Sequence, residues 1–211
     1  MRSLLTGALP TIFSVTDRQH TLGAAAMFAK IIDYKSAFTC RHSTGIAEKA
    51  MQLGRWKGWD DETCEKLYLA GALHDVGKLE TNSLILEKPD KLTSEEFTQI
   101  QHHALASAEL LGRIRGLEDV TSWAVNHHEK LDGSGYPHKK TAKELGEKER
   151  LMAAVDIYQA LVEKRPYKDG MPHEKAIAIM TGLSESGKLD AYWVSAIDAA
   201  FSPDASCKSP S

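Results

Sequence analysis

The sequence predicts an all-α domain. Apolar residues recur at three- and four-residue spacing along nearly the whole chain. Sustained period-2 alternation, the mark of a half-buried strand, is missing, and there is no internal repeat or low-complexity tract. Hydrophobic residues make up 42 % and charged residues 26 %, so disorder, collagen and a disulfide scaffold are excluded. At 211 residues the chain is one ordinary domain, or one with a short appendage.

The elements follow in order. Residues 17–34 carry Leu22, Ala25, Ala26, Phe28, Ala29, Ile31 and Ile32, an apolar set broad enough for a packed helix. A second helix covers about 40–54, with Ile46, Ala47, Ala50 and Met51 inward. Asp60 can cap a third, whose inner face runs Cys64, Leu67, Tyr68, Gly71 and His74, with Gly77 ending it. Thr93 and Glu96 form a capping box for a fourth, followed by Phe97, Ile100, Leu110 and Leu111. A fifth runs from Glu118 to His128, and a sixth carries Leu151, Met152, Val155, Leu161 and Val162. Two more lie near 173–183 and 189–201, before a flexible tail over 202–211. Two long loops, Leu79–Leu92 and Leu131–Lys148, are placed to build the mouth of a site.

The net charge of −3 argues against a protein that coats a nucleic acid polymer. Cys40, Cys64 and Cys207 are far apart and odd in number, which argues against a disulfide framework and for a reducing compartment. No run of about 20 apolar residues exists to span a membrane, and no secretory signal opens the chain, so a cytoplasmic location is expected.

The unusual count is nine histidines. His74 continues the apolar face of the third helix, where burying an ionisable group is costly unless a partner receives it. Asp75 follows about 100° round the helix, so both can enter one cavity, and Lys78 adds a cation beside them. His127, followed by His128, extends the face of Val120, Trp123 and Ala124; His103 does the same after Phe97 and Ile100. His42 opens the second helix, and Asp156 lies among Met152, Val155 and Ala160. Five helices thus bring an imidazole or carboxylate to an apolar face, which a shared metal centre explains. Imidazoles with carboxylates and no thiolate suit Fe, Mn, Ni, Co or Zn. A bridging Asp75 can hold two ions about 3.5–4 Å apart, an arrangement that activates water and clamps a phosphoryl group for in-line displacement. Lys78 and Arg165 are the nearest phosphate partners. The turn Asp132-Gly133-Ser134-Gly135-Tyr136-Pro137 places a phenol close by, ready to stack or hydrogen-bond.

The string His-His-Glu-x-x-Asp-Gly-Ser-Gly-Tyr-Pro (His127–Pro137) resembles the signature of the HD-GYP domains. The segments Phe38–Ser43, His74–Lys78, Leu86–Thr93 and Val155–Tyr167 resemble that family's other motifs, in the same order. The resemblance implies an HD-type helical bundle over 35–201 with a metal centre between its inner helices. Residues 1–34 would then be an N-terminal helix or linker arm. It implies a phosphodiesterase that hydrolyses a bacterial cyclic dinucleotide, chiefly cyclic di-GMP, to the linear dinucleotide and in some cases GMP. The metal ligands it implies are His42, His74, Asp75, His103, His127, His128 and Asp156, holding two divalent ions, with Fe or Mn favoured over Ni, Co and Zn. Asp75 and Lys78 would act in catalysis, with Lys78, Tyr136 and Arg165 on the substrate. Sensory or diguanylate-cyclase domains are the partners it implies.

This chain departs from the pattern in three places. Phe38 stands where trinuclear members carry a glutamate four residues before the first histidine, so two ions are expected and not three. His138–Ala142 replaces a Gly-Leu-x-Gly stretch, and Gln159 replaces a second acid. The competing classes are another HD-type nucleotide phosphohydrolase, which the intact Asp132–Pro137 turn opposes, and a catalytically silent receptor module, which the full ligand set opposes. Trp56, Trp59, Trp123 and Trp193 are expected in the core or between helices, and His20, His102, His138 and His173 on the surface.

Overall fold

The computed structural model describes residues 18–35, 41–88, 90–164 and 169–203, and nine α-helices lie among them. They are α1 (Arg18–Lys35), α2 (His42–Lys57), α3 (Asp61–Leu73), α4 (Ser83–Leu86), α5 (Ser94–Gly112), α6 (Glu118–Val125), α7 (Glu147–Val162), α8 (His173–Glu185) and α9 (Ala191–Phe201). Short 3-10 turns cover Val76–Glu80 and Asn126–His128. Among the described residues there is no strand, only an isolated antiparallel bridge between Asp132 and Thr141. No described helix is long and apolar enough to cross a membrane.

The expected caps form. The Asp60 side chain accepts the Thr63 N–H at 2.7 Å and starts α3. Thr93 Oγ1 accepts the Glu96 N–H at 3.2 Å while Glu96 Oε2 accepts the Thr93 N–H at 2.7 Å, a complete capping box on α5. Helix α2 has no side-chain cap of its own. Asp33 of α1 supplies one from outside, accepting the Ser43 N–H at 2.9 Å and the Ser43 hydroxyl at 2.7 Å.

Two helix ends differ from the pattern. Helix α3 stops at Leu73, four residues before Gly77. Gly77 is not in the left-handed region; it is a point of close approach, because a Cβ there would meet the His103 carbonyl oxygen at 2.1 Å. Helix α6 ends at Val125, where Asn126 Nδ2 donates to the Ser122 carbonyl and to Glu149, each at 2.9 Å, and the chain tightens into a 3-10 turn. The loop after Leu79 is also less bare than expected, since Asn82 accepts the Leu84 N–H at 3.0 Å and starts the single turn of α4.

The core joins Ile46, Ala47 and Leu53 of α2, Leu67 and Ala70 of α3, and Leu151, Met152 and Val155 of α7. Helix α1 adds Ala25, Ala29 and Ile32, and α9 adds Trp193 and Ile197. Trp193 is buried against Trp59, with ring centroids 5.6 Å apart. The apolar pattern overstates burial elsewhere: Phe28, Ile31, Phe97 and Trp56 are exposed, because each helix has more apolar residues than the face its neighbours cover.

Candidate metal centre

His74 caps α3, and the chain leaves the helix at Asp75. Ser107 of α5 clamps this corner: its hydroxyl donates to the His74 carbonyl at 3.0 Å and accepts the Gly77 N–H at 2.9 Å. The clamp and the close packing at Gly77 press Asp75 toward α5. Asp75 Oδ1 then lies 3.2 Å from His103 Nε2 and 3.8 Å from His127 Nε2, and Asp75 Oδ2 lies 3.1 Å from His74 Nε2. Lys78 Nζ bonds Asp75 Oδ2 at 2.5 Å.

His42, the first residue of α2, and Asp156 of α7 close the other side. His42 Nε2 is 3.2 Å from Asp156 Oδ1, and His128 Nδ1 is 3.7 Å from Asp156 Oδ2. The His42 and His74 rings are 5.5 Å apart, and those of His74 and His127 are 4.7 Å apart. The seven residues singled out from the sequence therefore meet at one place. Two sets have ligand atoms within 4.8 Å of one another: Asp75, His103, His127 and His128, and His42, His74 and Asp75. Arg165 and Phe38 lie outside the described residues.

The tautomers are legible from the hydrogen bonds. A main-chain carbonyl can only accept, so the Nδ1–H of His74, His103 and His127 must donate to the carbonyls of Gly71 (2.8 Å), Ile100 (2.5 Å) and Ala124 (2.5 Å). With the rings neutral, each Nε2 is then a bare lone pair. Among the described residues, all three Nε2 atoms and Asp75 Oδ1 are buried without a hydrogen-bond partner. Lone pairs facing a carboxylate oxygen repel one another, and leaving such groups unsatisfied in a dry interior is costly. A cation between them removes both penalties, so the donor set fits a metal ion.

Electrostatics points the same way. Burial, then repulsion from His128 and His74, holds the pKa of His127 well below its ordinary value, and burial takes His128 down to about 4. Both are neutral, the state that binds metal. Burial opposes charge on Asp75 and Asp156, but His74 and Lys78 outweigh it at Asp75, and the hydrogen bond from His42 does so at Asp156; both carboxyls stay far below the usual range. Burial would lower His42, yet hydrogen bonds to Asp156 and Glu163 raise it to about 9.

Tyr136 stands at the mouth, its ring 4.6 Å from that of His128. Burial and the two aspartates push its phenol upward, so it stays a donor. The loop that carries it is held from beneath by buried Glu129, which accepts the N–H groups of His138 (2.6 Å) and Lys140 (3.0 Å). Gly135 lets the loop lie against Glu129, since a Cβ there would fall 2.5 Å from the Glu129 Cα.

Sequence reasoning missed the supports of this site. Glu149, which stands in a charged run of sequence, is buried and receives Ser122 Oγ at 2.7 Å as well as Asn126, so α7 steers the histidine turn. Glu163 reaches His42 Nδ1 at 3.0 Å, with no signal in spacing. His173 is not a surface group: it bridges Tyr158 Oη and Asp198 Oδ1, each at 2.9 Å, away from the centre. His20, His102 and His138 are exposed, as expected.

A model of the HD domain family matches residues 26–192. The chain belongs to the HD domain family. The HD domain here is 38 % identical over 172 residues to 3'3'-cGAMP-specific phosphodiesterase 1 of Vibrio cholerae, covering 82 % of this chain and 40 % of that protein. It is 44 % identical over 123 residues to a cyclic di-GMP phosphodiesterase of the same organism, covering 55 % of this chain and 25 % of that one. The chain thus spans less than half the length of these curated relatives. Its fold is similar to that of Bd1817, an HDG"Y"P protein from Bdellovibrio bacteriovorus, with a TM-score of 0.61 and 15 % identity, covering 88 % of this chain and 63 % of the other. The HD-GYP likeness carried by the motifs agrees with these matches.

Proposed function

We propose that this HD domain is the catalytic unit of a phosphodiesterase that hydrolyses cyclic di-GMP to the linear dinucleotide, and to GMP if a second cut follows. The observation that carries this reading is the set of unpartnered lone pairs of His74, His103 and His127 around the Asp75 carboxylate. His42, His74, Asp75 and Asp156 would hold one divalent ion, and Asp75, His103, His127 and His128 a second, Fe or Mn by preference. Bound ions supply Lewis acidity toward a phosphoryl group and lower the pKa of water.

The chain's own residues do the rest. Lys78 is one-fifth exposed beside Asp75, so its ammonium can meet a phosphate oxygen at the mouth of the site. Tyr136 keeps its proton and offers a donor and a ring face to the dinucleotide. Arg165 is a further phosphate partner in this reading. The cytoplasm, where cyclic dinucleotides signal, is the expected setting, with sensory or diguanylate-cyclase modules as partners.

A second substrate has an observation of its own. A relative named for 3'3'-cGAMP aligns over 82 % of this chain at 38 % identity. The test is product chromatography with both dinucleotides, using protein prepared anaerobically with Fe or Mn. Linear di-GMP as the faster product supports the proposal; faster loss of the mixed guanine–adenine dinucleotide replaces the substrate. No turnover of either by a fully metallated protein refutes the enzymatic reading.

A further inference from the structure

Three of the buried histidines share one device. His74, His103 and His127 each donate Nδ1–H to the carbonyl three residues earlier, so the helix that carries the ring also aims it. His42 cannot use that device. It is the first residue of α2, so no turn of that helix precedes it. Its Nδ1 instead meets Glu163 Oε2 at 3.0 Å, while Nε2 faces Asp156 Oδ1 at 3.2 Å. Both carboxylates come from one stretch of chain, Asp156 within α7 and Glu163 at its C-cap, seven residues or nearly two turns apart. The Glu163 side chain is only 6 % exposed, and its second oxygen, Oε1, is buried with no hydrogen-bond partner among the described residues. The main chain of Glu163 is fixed by its N–H to the Gln159 carbonyl at 2.9 Å, and the returning strand of chain by Met171 N–H to the Leu161 carbonyl at 2.9 Å.

We infer that Glu163 is a positioning residue for His42: it accepts the Nδ1–H and holds the ring so that the Nε2 lone pair points at the place Asp156 also faces. This rests on the reading of His42 as a metal ligand. The inference is specific in what it asks of the side chain. A buried carboxylate is costly without a paired donor, and among the described residues the donor Glu163 meets is the His42 ring N–H. What matters is the length that brings an acceptor oxygen to Nδ1. Partners of this kind commonly set metal affinity by about 10–100-fold.

The test is titration of the full chain with Mn2+ alone, followed by calorimetry and by metal counting, with wild type beside Glu163→Gln and Glu163→Asp. Gln keeps the reach and an acceptor oxygen but loses the charge. Asp keeps the charge but withdraws the oxygen by about one bond length, roughly 1.5 Å. For the Asp variant we expect one of two Mn2+ sites to weaken about 10–100-fold while the other is unchanged, and for the Gln variant a loss within about threefold. Both substitutions are mild, and thermal unfolding checks that each is folded.

The outcomes separate cleanly. Asp retaining wild-type affinity while Gln loses it would overturn the inference, because charge and not position would then be the contribution. Unchanged affinities in both variants would also overturn it. Three ions in wild type and two in either variant would make Glu163 a ligand and overturn it as well. A wild type that takes up no Mn2+ refutes the metal-centre reading itself, and is seen before any variant is compared.

Discussion

A methyl group added at Gly77 would point into the backbone of α5, its carbon 2.1 Å from the His103 carbonyl oxygen and 2.6 Å from the Ser107 nitrogen. Ordinary carbon–oxygen contacts need about 3.3–3.6 Å, so in Gly77→Ala the turn and α5 must separate by about 1.2 Å or more. Neither contact is the far end of a flexible side chain, so the shift cannot be absorbed locally. It falls where Asp75 Oδ1 meets His103 Nε2 at 3.2 Å, and where Ser107 ties α5 to Gly77 and His74. Overpacking of this kind costs about 1–3 kcal/mol, which for a chain of this size lowers the melting temperature by about 2–12 °C. Misplacing a ligand by about 1 Å should lower turnover of the cyclic dinucleotide about 100-fold. Thermal unfolding of metal-free protein and Mn2+ titration of the same preparation measure the two effects. A folded Gly77→Ala protein with wild-type melting temperature and wild-type Mn2+ affinity would refute the idea that this packing contact sets the site.

Asp75→Ala should abolish hydrolysis, whereas His102→Ala, altering an exposed neighbour of His103 on α5, should keep nearly full activity; equal loss in the two would show the facing of α5 to be misread. Anaerobically prepared protein should carry two divalent ions by metal analysis, and three fully occupied ions would sink that count. In the metal-free protein His42 titrates at about 9 against an ordinary 6.5, because Asp156 and Glu163 outweigh burial. A raised histidine stabilises the fold fully below pH 6.5 and loses that contribution as pH rises through about 9, so the metal-free melting temperature should fall across that window. A flat profile there, or an equal fall in His42→Asn, would rule this out. Ser107→Ala strands the buried Gly77 N–H and loosens the His74 carbonyl, for about 1–3 kcal/mol of stability read by urea unfolding; a change under about 0.5 kcal/mol would mean water replaces the hydroxyl.

Much of this architecture is legible in the sequence because its signals are local. Asp60 and the Thr93–Glu96 box announce helix starts through contacts three residues long, and both form. The histidines at the ends of apolar faces are equally visible, since a helical face continues into whatever lies next on it. The misses are of a different physical kind. Gly77 reads as a helix terminator, and only the approach of α5, about 26 residues later in the chain, reveals it as a packing contact. Glu149 reads as a solvated charge in a charged run, and its burial depends on Ser122 and Asn126 arriving from α6 and the turn after it. Phe28 and Ile31 read as core because periodicity says which side of α1 is apolar, not how much of that side its neighbours cover.

The same distinction explains which histidines needed outside help. A histidine preceded by helix finds an acceptor for Nδ1 on its own backbone, so His74, His103 and His127 have ring and support in one short segment. Their placement can be read from the segment alone. His42 begins its helix, so its supports come from elsewhere: Asp33 of α1 caps the turn beneath it, and Glu163 at the end of α7 receives its ring N–H. A turn held by a residue 10 before Ser43 and a ring held by one 121 after His42 leave no pattern in any window of sequence. This is why the glutamate that receives the His42 ring N–H is announced by neither the sequence around Glu163 nor that around His42.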